Sequence, residues 1–164
     1  MAARDKYTMF FSRSVFSQFY TCTFTVNDQK FISCEQYMMY SKALLFHDEN
    51  IARKILQERN PKIIKKLGRQ VHKFDEKIWK ENRERIVKEG NKAKFTQNKD
   101  LQKELLSTKG TKLVETNPND LIWGIGYSET DPEALDETKW RGLNLLGKII
   151  TDVRDEILSE NSIN

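Results

Sequence analysis

Ser33-Cys34-Glu35-Gln36-Tyr37-Met38-Met39-Tyr40-Ser41-Lys42-Ala43-Leu44-Leu45-Phe46 reads as a helix once its residues are set about 100° apart. Glu35, Met38, Met39, Lys42 and Phe46 then share one face, because these intervals are the i, i+3/i+4 and i+7 neighbours of a helical stripe. A carboxylate and an ammonium therefore lie on the apolar side. Removing either from water is costly unless it finds a partner or changes its protonation state. One reading is a buried ion pair, or a lysine whose stem covers the core while its head reaches water. The other is a site in which a carboxyl group moves protons and a lysine, its charge disfavoured by burial, supplies a neutral amine nucleophile. Periodicity alone leaves both open.

Upstream, Thr21 to Val26 and Gln29 to Ile32 flank Asn27-Asp28, which reads as a two-residue hairpin turn delivering the chain into this helix. The segment from Tyr7 to Phe24 is rich in aromatic and hydroxyl residues, which in strands mostly serve packing. Downstream, the punctuation predicts short helices. Asp48 caps one running toward Gln57, Asn60-Pro61 opens another that Gly68 stops, and Asp75 caps a third carrying Ile78, Trp79, Asn82, Ile86 and Val87 that ends at Gly90. Lys92 to Thr96 and Leu101 to Leu106 follow. Lys112 to Thr116 and Leu121 to Tyr127 read as extended, the second interrupted by Gly124 and Gly126, which suggest a bulge or the close approach of another chain or a ligand. Asp131 to Lys139 is an acidic loop. A last helix from about Asn144 to Ser159 carries Leu145, Leu146, Ile149, Ile150, Val153 and Ile157 on one side, and residues 159–164 read as a frayed polar tail.

The 164 residues are of the size of one domain, with 38% hydrophobic and 32% charged residues as in a globular protein with a solvated surface. No apolar run approaches the roughly 20 residues of a membrane span, and no signal segment follows the first residues, so no membrane partner is expected. Cys22 and Cys34 make no disulfide framework, and with only His47 and His72 to help they make no zinc site. The expected setting is reducing and intracellular, cytoplasmic or nuclear, with no metal and no cofactor. A net charge of +4 is mildly basic and favours a phosphate-bearing partner without identifying one.

Leu67-Gly68-Arg69-Gln70-Val71, Trp123-Gly124-Ile125-Gly126-Tyr127 and Asn144-Leu145-Leu146-Gly147-Lys148 have neither P-loop nor dinucleotide-fingerprint spacing, and no nucleophile elbow, kinase set or zinc-deaminase signature is present. Taken together, the motifs resemble the NADAR family of YbiA-like domains. The resemblance is carried by Phe10-Phe11-Ser12, Phe16-Ser17-Gln18-Phe19-Tyr20, Phe31-Ile32-Ser33-Cys34-Glu35-Gln36-Tyr37-Met38-Met39, Lys42-Ala43 and Leu67-Gly68-Arg69-Gln70-Val71. It continues through Trp79, Arg83, Ala93-Lys94-Phe95-Thr96-Gln97-Asn98, Leu113-Val114-Glu115, Trp123-Gly124-Ile125-Gly126, Trp140-Arg141-Gly142-Leu143-Asn144-Leu145-Leu146-Gly147 and Val153-Arg154. Thr21-Cys22-Thr23 departs from the family pattern, which often has proline after the tyrosine.

The resemblance implies a single compact α+β domain over residues 1–164, core about 7–158, mostly helical with a small β-sheet or hairpin. It implies a hydrolase of the N-glycosidic bond between ribose and the exocyclic amine of a nucleobase. The substrate expected first is guanine bearing ADP-ribose in nucleic acid, single-stranded by preference, which would make the chain a repair enzyme functionally paired with a DNA ADP-ribosyltransferase. The alternatives are a small phosphorylated ribosylamino-pyrimidine of riboflavin synthesis, or a module that binds ADP-ribose or NAD without turning it over. Glu35 and Lys42 are the expected catalytic pair, Lys42 as the amine that forms a Schiff base and Glu35 as the proton shuttle. Direct displacement by water, assisted by Glu35, is the competing route. Trp79 and Trp123 are the expected stacking surfaces and Asp131 the acceptor for ribose hydroxyls. Arg13, Arg69 and Lys94 are the expected phosphate-binding cations, and Gly124 and Gly126 the glycines that let backbone approach the pyrophosphate.

Overall fold

The computed structural model describes residues 3–163. In chain order its elements are β1 (Tyr7–Phe10), β2 (Phe24–Val26), β3 (Gln29–Phe31), α1 (Cys34–Leu45), α2 (Glu49–Gln57), α3 (Pro61–Gly68), α4 (Glu76–Gln97), α5 (Lys99–Leu106), β4 (Lys112–Glu115) and α6 (Leu145–Ile163). This is a mostly helical α+β fold with two small two-stranded sheets. The chain divides into two compact units, one made of Gln18–Asn98 and the other of the segments on either side of it.

In the unit Gln18–Asn98, β2 and β3 form the expected antiparallel hairpin, with Phe24 opposite Phe31 and Val26 opposite Gln29. Asn27 and Asp28 have φ of 50° and 65°, the left-handed pair that a tight hairpin turn requires. Phe24 stacks on Phe31, and Tyr37 of α1 meets Phe31 edge-on at 5.0 Å, so the hairpin is anchored on the helix it feeds. α1 packs against α2, α3 and α4.

α4 is one helix through Gly90, where the sequence reading expected an end and a separate helix from Lys92. The cause is packing. A Cβ at Gly90 would stand 2.8 Å from Cδ2 of Tyr37, so the glycine is where α1 and α4 touch rather than where α4 stops. Gly68 is the last residue of α3, as expected, and is also a contact with α1, because a Cβ there would overlap the Met39 sulfur.

In the other unit, β1 pairs with β4 in parallel, Tyr7 opposite Lys112 and Phe10 opposite Glu115. Asn144, buried with φ of 53°, donates from Nδ2 to the Leu113 carbonyl at 3.1 Å and accepts the Glu115 N–H at 3.0 Å, fixing the start of α6 against β4. Leu121 to Tyr127, expected as a strand, is instead a loop. Its carbonyls accept from the 141–146 segment, with Asn144 N–H donating to Gly124 O and Gly142 N–H to Ile125 O, while its N–H groups turn to Glu115, Asn117 and Asp120. A Cβ at Gly142 would overlap the Gly124 carbonyl, so the close approach implied by the glycines is made by this chain itself. α6 continues past Leu158 to Ile163, so residues 159–163 are helical where a frayed tail was expected; Asn164 lies outside the described residues.

Candidate active site

The first turn of α1 is built by polar side chains. Ser33, extended at φ −163° and ψ 158°, accepts the Gln36 N–H on its hydroxyl. Gln36 answers through its own amide, Oε1 accepting the Ile32 N–H at 2.9 Å and Nε2 donating to the Ile55 carbonyl at 3.1 Å. This variant of a capping box fixes the helix start and ties it to the end of α2. Glu35 sits in that turn, 4% exposed, with its N–H donated to the Gln18 carbonyl at 2.9 Å. The positive end of the helix favours a carboxylate there.

Two turns on, Lys42 is half-buried with its Nζ 4.6 Å from the centre of the Phe74 ring and 5.5 Å from that of Trp79. Burial holds its amine below the ordinary lysine range. The carboxylates of Glu35 and Glu76 oppose that shift, and the Arg69 guanidinium adds to it. A buried carboxyl and a lysine with a disfavoured charge therefore act on each other along one helix face, beside two aromatic rings.

Phe74 did not stand out in the sequence, although a signal was present. Asp75 caps α4 by accepting the Lys77 N–H, which places Phe74 at the position before the cap and Trp79 at the fourth helical position. These are the two positions of a hydrophobic staple. The loop presenting Phe74 is held from behind by Asp48. Its Oδ1 caps α2 through the Ile51 N–H at 3.1 Å, while its Oδ2 accepts the His72 N–H and contacts His72 Nδ1, both at 2.9 Å. Phe46 supports Phe74 edge-on at 5.4 Å.

Of the expected residues, the unit Gln18–Asn98 thus brings Glu35, Lys42, Trp79 and Arg69 together. Lys94 is in the same unit but is 0% exposed, its Nζ 4.9 Å from the Phe95 ring and 5.6 Å from the Tyr20 ring. Burial lowers its amine as well, with the thiols of Cys34 and Cys22 acting the other way. The structure places it in the core, which is a correction to its expected place on a phosphate-facing surface.

Arg13, Trp123, Gly124, Gly126 and Asp131 belong to the other unit. Arg13 is exposed and Trp123 partly buried. Gly126, at φ +78°, gives its N–H to the Asn117 carbonyl, so that donor is used within the chain rather than offered to a pyrophosphate. Asp131 accepts the Ser128 N–H at 2.8 Å and lines a cavity of about 660 Å³ with Tyr7, Met9, Glu129, Thr130, Pro132 and Leu135. Among the described residues no cluster of His, Cys, Asp or Glu is placed to hold a metal ion, and no helix is long and apolar enough to cross a membrane.

The sequence model of the NADAR domain matches residues 8–158. The chain belongs to the NADAR family. One relative, N-glycosidase R617 of Acanthamoeba polyphaga mimivirus, is 42% identical over 93% of this chain and 96% of its own length. N-glycosidase YbiA of Escherichia coli is 28% identical over 88% of this chain and 82% of its own. The solution structure of E. coli YbiA superposes with a TM-score of 0.81, covering 100% of this chain and 90% of the other at 27% identity. The chloroplastic riboflavin biosynthesis protein PYRR of Arabidopsis thaliana is 29% identical over 85% of this chain, which corresponds to 20% of that longer protein.

Proposed function

We propose that this NADAR chain is an N-glycosidase that releases ADP-ribose from the exocyclic amine of guanine in nucleic acid. The observation that carries the reading is the half-buried Lys42 amine, its charge disfavoured, on the same helical face as the buried Glu35. The relatives named N-glycosidases support the bond type.

The chemistry follows from the bond. Protonation of the ribose ring oxygen opens the ring and leaves an iminium between the anomeric carbon and the base nitrogen. The neutral Lys42 amine adds to that carbon, a proton moves to the base nitrogen, and the guanine amine departs with the C–N bonding pair. The resulting Lys42 Schiff base takes up water and collapses, returning free sugar and neutral lysine. Glu35 carries the protons, giving one to the ring oxygen and recovering one from the attacking water. Exposed Phe74 offers an aromatic face to the base, buried Trp79 backs the Lys42 amine from the core side, and exposed Arg69 beside Lys42 offers a guanidinium to phosphate.

The test is incubation with a single-stranded oligonucleotide carrying ADP-ribose on guanine, read by mass-resolved chromatography, with Glu35→Ala and Lys42→Ala alongside. Release of ADP-ribose and restoration of guanine by wild type alone is the expected outcome. A second reading, hydrolysis of a phosphorylated ribosylamino-pyrimidine, is favoured by the likeness to the riboflavin biosynthesis protein. Turnover of that small monophosphate with the oligonucleotide left intact would select it, and tight ADP-ribose binding without any product would leave a binding module.

A further inference from the structure

Gln18 and Asn91 form a buried amide pair beside the first turn of α1. Asn91, on α4, is 0% exposed and Gln18 is 8% exposed. Asn91 Nδ2 donates to the Val87 carbonyl at 2.9 Å and to Gln18 Oε1 at 2.8 Å. These contacts fix both amides, whose oxygen and nitrogen would otherwise be interchangeable. A carbonyl only accepts, so the Asn91 nitrogen must face Val87. Gln18 must then turn its oxygen toward that nitrogen, since two NH₂ groups cannot bond to each other. What remains is a matched remainder: the Gln18 Nε2 donor and the Asn91 Oδ1 acceptor, neither of which has a hydrogen-bond partner among the described residues.

Buried polar atoms in folded proteins are nearly always partnered, so an orphan donor and acceptor on two bonded side chains point to a group that supplies both roles. A hydroxyl does so, accepting from Gln18 Nε2 and donating to Asn91 Oδ1. The location narrows which hydroxyl. The Gln18 carbonyl holds the Glu35 N–H at 2.9 Å, so the pair is tied by its backbone to the carboxyl-bearing turn.

We propose that Gln18 and Asn91 form a hydroxyl-binding subsite for the sugar whose glycosidic bond is cleaved. This rests on the reaction proposed above. Gln18 is then the residue that recognises a ribose hydroxyl, and Asn91 the residue that orients Gln18 and takes the hydroxyl proton.

The test is a cycle between the protein and the sugar. Wild type, Gln18→Met and Gln18→Glu are assayed on the guanine-linked ribose substrate and on its 2′-deoxy and 3′-deoxy counterparts, with melting temperatures measured in parallel. Gln18→Glu keeps the acceptor toward Asn91 Nδ2 and, when ionised, replaces the orphan donor by a second acceptor at the cost of a buried charge; Gln18→Met removes the donor without adding charge, and the melting temperatures show which variant is folded and to be read. Wild type should lose on the order of tenfold to a hundredfold in kcat/KM on one of the two deoxy substrates, and the variants should show little further loss on it. Equal turnover of all three sugars by wild type, or an unchanged sugar preference in variants of lowered melting temperature, would mean that the amides hold a structural water, and would overturn the proposal. If wild type cleaves none of the substrates, the proposed reaction has failed. The same cycle is then read as binding of ADP-ribose against its deoxy counterparts, where equal affinities overturn the subsite as well.

Discussion

Lys42 Nζ lies 4.6 Å from the centre of the Phe74 ring. An aromatic face attracts an ammonium by about 0.5–1 kcal/mol at a partly exposed site, which favours the charged form by less than about one pKa unit. Burial acts the other way and prevails, because the amine lies below the ordinary lysine range in spite of Glu35 and Glu76. The neutral amine therefore becomes available as pH rises through a value below 10.5, that of an ordinary lysine. Borohydride trapping of the sugar on the protein should rise with pH along that limb. Lys42→Arg, whose guanidinium stays charged, should abolish trapping and lower kcat/KM by at least about a hundredfold. Trapping that persists in Lys42→Arg would place the adduct on another residue.

Phe74 is 42% exposed, so its removal should unsettle the fold little while removing a face from the site. Base stacking on an aromatic side chain contributes about 1–3 kcal/mol. Phe74→Leu should accordingly lower kcat/KM on the order of tenfold to a hundredfold with a melting temperature close to wild type, and Phe74→Tyr should retain most activity. Equal activity of the leucine variant would assign the ring to packing on Phe46 alone.

Asp48 is held at about 2 by the backbone and ring of His72 first, then by the Ile51 N–H. Its folded value lies below the ordinary 3.8, so its ionised form stabilises the fold above that value, and the contribution disappears as pH falls from about 4 through about 2. Asp48→Asn should flatten that part of a plot of melting temperature against pH. An unchanged acid limb would show that other carboxylates set it.

Gly90→Ala has a sign that separates two explanations of the glycine. At a solvent-exposed helix position alanine would stabilise by about 1 kcal/mol. Here the added methyl meets the Tyr37 ring at 2.8 Å, and that ring is buried and tethered through its hydroxyl to Glu89 at 2.9 Å. Overpacking of about 1–3 kcal/mol should outweigh the propensity gain, giving net destabilisation in urea unfolding. A stabilised variant would return Gly90 to the role of a tolerated helix breaker.

The elements that the sequence made legible are those with local causes. Asp48, Asn60 and Asp75 each cap the helix they introduce, and Asn27-Asp28 makes its hairpin turn, because capping and turn chemistry act within three or four residues. The failures have distant causes. Gly90 looked like a stop because Tyr37 is far from it in sequence, and Leu121 to Tyr127 looked like a strand because the donors to its carbonyls lie in the distant 141–146 segment. In the site, Glu35 and Lys42 were legible from the period of one helix, whereas Phe74, Gln18 and Asn91 come from other segments and share no period with it. Lys94 shows the limit of residue type as a guide. A cation in a basic chain suggests phosphate, and only burial reveals that this one is sealed in the core.

The unbroken course of α4 gives this unit a fixed gauge. Trp79 and Asn91 ride on one rod, and twelve residues at about 1.5 Å each set them about 18 Å apart along its axis, with no hinge to adjust the interval. On α1, Glu35 and Lys42 are spaced about 10 Å apart by the same geometry. The aromatic end and the amide end are therefore held at a set span, and a ligand engaging both must match it in length. Deleting one residue between Trp79 and Asn91 would shorten the rod by only about 1.5 Å, yet turn one end about 100° away from the other.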